Sequence, residues 1–330
     1  MDLPLLTDLV EIPRVWDRLA MVEERLCQVT VAETPFLTEI AQHGLQAGGK
    51  RYRPLLAQVA AELGPNDGPE PVEAGVAVEL VHLGSLYHDD VIDEASTRRG
   101  AVSVNANWTN TVAILAGDFL LARASEVAAP LGEEAVSLIA RTYATLVEGQ
   151  ALELRLMDSI DHGPDDYYRV IGGKTASLIR TASRLGAMTA GAEQHQIEAI
   201  SEWGWEMGLV FQMTDDVLDV VADENFLGKP AGSDILEGTY TLPLLYALAG
   251  PGGTEIRTLL AAGRPDPATV SRLLDIVRTG PFVDRVLDEA VERARVAEKA
   301  VARVASGTLV DVFSNLDRYL LDRVEAARRR

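Results

Sequence analysis

Three aspartates in the arrangement Asp-Asp-x-x-Asp stand twice in this chain, each time in an apolar stretch free of glycine and proline. The first copy is His88-Asp89-Asp90-Val91-Ile92-Asp93. The second, well over a hundred residues later, is Gln212-Met213-Thr214-Asp215-Asp216-Val217-Leu218-Asp219. In a helix, the first and third aspartates of each copy lie at i and i+4 and share a face. Like charges at that spacing cost about 0.2–0.5 kcal/mol per pair, so a compensating cation is expected at both places. Carboxylate clusters with no cysteine beside them favour a hard, oxygen-seeking ion, above all Mg²⁺. Mg²⁺ keeps waters and shares its shell with phosphates, so two such clusters facing each other would clamp a diphosphate.

The surrounding chain limits the alternatives. Its 330 residues, 47% of them hydrophobic, suffice for one large core. A net charge of −20 argues against nucleic acid and against docking on anionic membrane. A lone cysteine, Cys27, forms no internal disulfide and fits a reducing compartment. The start, Met1-Asp2-Leu3-Pro4, does not read as a signal peptide, and no apolar run suggests a membrane span. A cytoplasmic protein is expected.

Ala, Leu, Glu and Arg dominate, and apolar residues recur at three and four, as in Val76, Leu80, Leu83 and Tyr87. The expectation is an all-α fold with no convincing sheet and no internal repeat. Breakers such as Gly48-Gly49, Pro130-Leu131-Gly132 and Gly280-Pro281 punctuate the helices, and none is long enough for a domain linker. Cations are the minority, yet they gather beside the motifs. Lys50, Arg51 and Arg53 follow Gly48-Gly49. Arg98 and Arg99 follow the first aspartate cluster, Lys174-Thr175 follows Gly172-Gly173, and Lys229 precedes Pro230. Arginine forks match phosphate oxygens and lysine adds a point charge. Arg328-Arg329-Arg330 reads as a helix end complementing the dipole.

The segments Gly48-Gly49-Lys50-Arg51-Tyr52-Arg53-Pro54, His88 to Asp93, Gly172-Gly173-Lys174-Thr175-Ala176, Phe211 to Asp216 and Thr241-Leu242-Pro243-Leu244 resemble, in order, those of the trans-isoprenyl diphosphate synthases, or polyprenyl synthetases. The resemblance runs from about Gly48 to Leu244. It implies one domain over residues 1–330, a bundle of ten or more helices around a central cavity, and a homodimer. It also implies three Mg²⁺ ions and the 1′-4 condensation of an allylic diphosphate with isopentenyl diphosphate. Carried onto this sequence, Asp89, Asp93 and Asp215 would ligate metal, with Asp90, Asp216 and Asp219 supporting them directly or through water. Lys50, Arg53, His82 and Arg99 would hold isopentenyl diphosphate. Arg98, Lys174, Thr175, Gln212 and Lys229 would hold the allylic substrate. The last proton would leave to the released diphosphate. Only transient membrane contact is expected, for product release.

One segment departs from the family. Glu237-Gly238-Thr239 stands where Glu-Gly-Lys is usual, so a lysine that would touch the allylic diphosphate is missing. A hydroxyl supplies no charge, and compensation by another cation is expected, with the arginine tail as the candidate. The helix entering the first cluster is also the expected wall of the product tunnel. A turn advances about 5.4 Å, roughly one isoprene unit. The residues four and five positions before Asp89, Ser85 and Gly84, are small, and Val81 one turn on is modest. In the family, aromatic residues here stop growth, so a product of C30–C50 is expected, for a respiratory quinone such as menaquinone. Ordinary helix packing at Gly84 is the alternative.

Three rivals remain at this level. Glu79-Leu80-Val81-His82 is an E-x-x-H, as in di-iron bundles, but a second copy is lacking, and Glu79 is expected to face solvent or pair between helices. A class I terpene cyclase would carry a different second metal motif and no second diphosphate site. The third, a non-catalytic subunit that only supports its partner, is disfavoured because this chain keeps both aspartate clusters; a catalytic subunit needing a small partner, or a short-chain (C15–C20) synthase, differs in assembly or product rather than in chemistry.

Overall fold

The computed structural model describes residues 5–223, 226, 230–261 and 263–329. Helices follow one another along the chain: α1 (Leu6–Leu9), α2 (Pro13–Val29), α3 (Pro35–Gln46), α4 (Tyr52–Ala61), α5 (Glu70–Ile92), α6 (Val104–Asn107), α7 (Asn110–Ala128), α8 (Glu133–Leu156), α9 (Pro164–Ile171), α10 (Ser177–Thr189) and α11 (Gln194–Val221). After these come α12 (Ser233–Glu237), α13 (Leu242–Ala249), α14 (Gly253–Leu260), α15 (Pro267–Thr279), α16 (Phe282–Val301) and α17 (Thr308–Arg328). Among the described residues the only sheet is a hairpin of β1 (Thr97–Arg98) and β2 (Ala101–Val102). The all-α expectation therefore holds, with one small addition that matters below.

The chain forms two compact units. The first comprises Ile12–Ala144 and Leu178–Gly204, and the second Met1–Glu11, Thr145–Ser177 and Trp205–Arg330.

In the first unit, α5 is the central element. Glu70 and Glu73 in its first turn complement the helix dipole, and Pro71 sits where its missing N–H does no harm. From Pro71 to Tyr87 it is buried nearly all round, as an apolar helix without a polar face must be. Helices α2, α4 and α7 pack around it. At the α5–α7 contact, a Cβ on Gly84 would lie 3.0 Å from the Gly117 carbonyl oxygen and from Leu121 Cγ. Gly84 thus has a packing role, the alternative left open by the sequence. Ser85 is buried, its hydroxyl donating to the His82 carbonyl at 2.8 Å, and Val81 is buried too.

In the second unit, α13 is apolar and buried over Leu242–Leu248. It packs against α9, α14, α15 and α16, and α16 pairs with α17. The inward stripe of α17 runs Val312, Phe313, Leu316, Leu320, Val324 and Ala327, the three-and-four spacing of an amphipathic helix.

Candidate active site

The first aspartate cluster ends a helix. Asp93 caps α5, its N–H donating to the Asp89 carbonyl at 2.8 Å, and Asp89 and Asp93 lie half-buried and exposed respectively. Asp90 is different. It is 2% exposed, and Arg98 donates to its Oδ1 from Nε at 2.7 Å and from Nη2 at 2.6 Å. Burial, the largest influence, raises the Asp90 carboxyl above its ordinary range, and Arg98 pulls it back.

Arg98 reaches Asp90 from the hairpin. Thr97 pairs with Val102 and Arg98 with Ala101, which leaves Arg99-Gly100 as the two turn residues. Both have positive φ, 54° and 79°, the signature of a type I′ turn. Glycine meets that demand without strain, whereas Arg99 accepts it. The tight turn sends adjacent arginines to different partners. Arg98 goes to Asp90, while Arg99 donates to the Gly48 carbonyl and to His82 Nε2, the latter at 3.4 Å.

His82 is a hub. Its Nε2 also faces Arg53 Nη1 at 3.2 Å. Two guanidinium donors on one nitrogen require a neutral ring that accepts there and carries its proton on Nδ1. Burial first, then the charges of Arg53 and Arg99, push the His82 pKa well below its usual value. Arg53, His82 and Arg99 are therefore brought together, and Lys50 lies exposed in the loop that leads into α4. Arg51 belongs underneath it. Left-handed at φ 45° and 7% exposed, it ion-pairs with Glu23 and, at 3.3 Å, with Glu79, and donates to the Leu45 carbonyl at 3.1 Å. Glu79 is 1% exposed, so the solvent-facing option for it is corrected: it is the counter-ion buried beneath the cations. Its carboxyl is raised by burial and lowered by Arg51, Arg53 and Arg99.

In the second unit, Gly172–Ala176 forms a π-helical turn, a wider winding that recurs at functional sites. From it, Lys174 ion-pairs with Glu153 on α8. Thr175 donates its hydroxyl to Gln212 Oε1 at 2.8 Å, and Gln212 Nε2 donates to Asp216 Oδ1 at 2.8 Å. Tyr167 donates to Asp216 Oδ2 at 2.6 Å. Both oxygens of the buried Asp216 are thus engaged within the protein. Burial, then Asp234, holds its carboxyl well above the usual range.

Asp219 is buried as well. Its Oδ2 accepts the Asp234 N–H at 3.2 Å and its carbonyl accepts the Gly232 N–H at 2.8 Å, so it anchors the start of α12. Thr239 hangs from the same element, its N–H donating to the Asp234 carbonyl at 2.8 Å. Asp215 is more accessible, with 38% of its side chain exposed, and pairs with Arg323 of α17 at 3.2 Å. Arg328 pairs with Asp284 and Arg329 with Glu325; Arg330 and Lys229 lie outside the described residues. Glu153, Tyr167 and Arg323 escaped sequence reasoning, because each acts across a tertiary contact that carries no local pattern.

The donor chemistry suits a hard cation, being carboxylate oxygen throughout. Among the described residues no three His, Cys, Asp or Glu side chains are gathered as a preformed metal cage. That fits an ion which keeps water and phosphate in its shell.

The profile of the polyprenyl synthetase family matches residues 34–277. This chain belongs to the polyprenyl synthetase family. The synthase is 44% identical over 263 residues to the nonaprenyl diphosphate synthase of Mycobacterium tuberculosis, covering 79% of this chain and 78% of that one. It is 39% identical over 285 residues to heptaprenyl diphosphate synthase component 2 of Geobacillus stearothermophilus, covering 83% and 88%. Among solved structures, a Caulobacter crescentus polyprenyl synthase complexed with calcium and isoprenyl diphosphate superposes with a TM-score of 0.89 at 31% identity, covering 97% and 98%. A geranylgeranyl pyrophosphate synthase of Corynebacterium glutamicum, also complexed with calcium and isoprenyl diphosphate, gives 0.82 at 38% identity, covering 94% and 96%. The chain is thus a prenyltransferase with the isoprenoid synthase fold.

Proposed function

We propose that the synthase condenses isopentenyl diphosphate with farnesyl or geranylgeranyl diphosphate to give an all-trans polyprenyl diphosphate of C30–C50, with residues 1–330 acting as one catalytic domain. The observation that carries the site assignment is how the motif residues divide by exposure. The buried members, Asp90, Asp216 and Asp219, are tied to Arg98, to Tyr167 and Gln212, and to the start of α12. The assigned metal ligands, Asp89, Asp93 and Asp215, lie half-buried or exposed, where an ion and its waters can reach them.

Bound Mg²⁺, three ions by family resemblance, would act as Lewis acid toward the charge growing on the leaving diphosphate. Lys50, Arg53 and Arg99 bind isopentenyl diphosphate, and neutral His82 orients the two arginines by accepting from both. Lys174, Thr175, Gln212, Arg98 and Lys229 bind the allylic diphosphate. Lys174 reaches it by releasing Glu153, and Arg98 by sharing Asp90.

The long product is supported by the small Ser85 on α5 and by the 44% identical nonaprenyl synthase. A role in respiratory quinone tails is in keeping with that length, transient membrane contact with the lipid product, and a cytoplasmic site with the single cysteine. Among the described residues no helix is long and apolar enough to cross a membrane. A homodimer is the assembly that the family resemblance implies.

The test incubates the purified chain with isopentenyl diphosphate, each allylic primer and Mg²⁺, and sizes the dephosphorylated products by mass. A ladder ending at C30 or above is the expected result. A stop at C15 or C20 would overturn the length assignment alone. No elongation would overturn the reading of this chain as a self-sufficient synthase.

A further inference from the structure

The ion pair between Arg323 and Asp215 is unexplained by the motifs. Arg323 sits seven residues after Leu316 and three after Leu320, in the inward register of α17, and only 21% of its side chain is exposed. In a chain with 50 acidic and 30 basic residues, a cation held inward against a motif aspartate is an expensive use of positive charge. Stability is a poor reason for it, since a partly exposed pair of this kind contributes about 0–1 kcal/mol. The neighbouring segment offers a better one. Thr239 supplies no charge where the family places a lysine, and Thr239 is tied through Asp234 to Asp219, one turn along α11 from Asp215. Of the basic tail that could have compensated, Arg328 is engaged with Asp284 and Arg329 with Glu325.

We propose that Arg323 is a diphosphate-binding residue: it balances Asp215 while the site is empty and, once metal occupies the Asp215 carboxylate, presents its guanidinium fork to the allylic diphosphate in place of the charge that Thr239 lacks. This rests on the reading of Asp215 as a metal ligand. A guanidinium matches both partners, because carboxylate and phosphate present the same bidentate edge to its fork.

The experiment measures equilibrium binding of inorganic diphosphate in saturating Mg²⁺ by titration calorimetry, alongside KM for each substrate, in the full chain. R323Q is expected to weaken diphosphate binding about tenfold or more, the worth of one charge-assisted contact. It should raise KM for the allylic substrate and leave KM for isopentenyl diphosphate unchanged. Adding T239K to R323Q should restore binding, which a merely structural role for Arg323 would not allow. Diphosphate binding equal to that of the unaltered protein, or tighter binding, overturns the proposal; the latter would make Arg323 a competitor for Asp215. Should R323Q melt early, R323M, which keeps the aliphatic stem, is read by the same criteria. D215N separates the two levels. If it retains full turnover, the metal-ligand reading fails. If it is inactive while R323Q binds normally, only the present inference falls.

Discussion

Asp89 and Asp90 are neighbours of one chemistry with opposite fates, one near solvent and one buried under Arg98. The same division separates Asp215 from Asp216. Tyr167 completes the set of donors around Asp216, so removing its hydroxyl strands a buried carboxylate oxygen. Tyr167→Phe should lower stability by about 1–3 kcal/mol, measured by urea unfolding. His82 makes a pH prediction. Its folded pKa lies well below the 6.5 of a free imidazole, so the unfolded chain binds the extra proton first. The stability this group contributes is therefore complete above about pH 6.5 and is lost as pH falls from there through the folded value. His82→Gln should flatten that limb of the stability curve. Because the ring stays neutral through the physiological range, KM for isopentenyl diphosphate in the unaltered protein should show no inflection near pH 6.5. His82→Leu, which removes the acceptor for Arg53 and Arg99, should raise that KM about tenfold.

The hairpin is the smallest element of the fold, yet it aims two arginines. Its turn needs two left-handed residues, and a β-branched side chain tolerates that poorly. Gly100→Val should therefore raise KM for both substrates while shifting the melting temperature little, as the strands are short and at the surface. Steady-state kinetics with circular dichroism melts would check it. The α5–α7 contact behaves in the opposite way. Gly84→Ala would press a methyl against the Gly117 carbonyl and Leu121, and overpacking of this kind costs about 1–3 kcal/mol, readable in the same melts. The helices themselves were legible from spacing and breakers. The hairpin was not, because two-residue strands show no alternation, although the Arg99-Gly100 pair is the kind of signal that marks such a turn.

At the scale of the whole molecule, the metal should matter for chemistry rather than for folding. Chelation should abolish turnover in the product assay while the helical circular dichroism signal is retained. Ser85→Phe should shorten the product ladder, as sized by mass. By itself, the sequence determined the all-α class, the two aspartate motifs and the gathering of Lys50, Arg53 and Lys174 beside glycine pairs, with His82 added by family resemblance. These are local facts, since periodicity, breakers and motif order survive without coordinates. Tertiary structure decided which aspartates of each motif are buried, that Arg51 and Glu79 lie beneath the other cations, and that Arg323 meets Asp215. Those outcomes depend on desolvation and on contacts between residues far apart in the chain, Arg323 and Asp215 being 108 positions apart. For a charged residue, neither burial nor a long-range partner leaves a mark in local spacing.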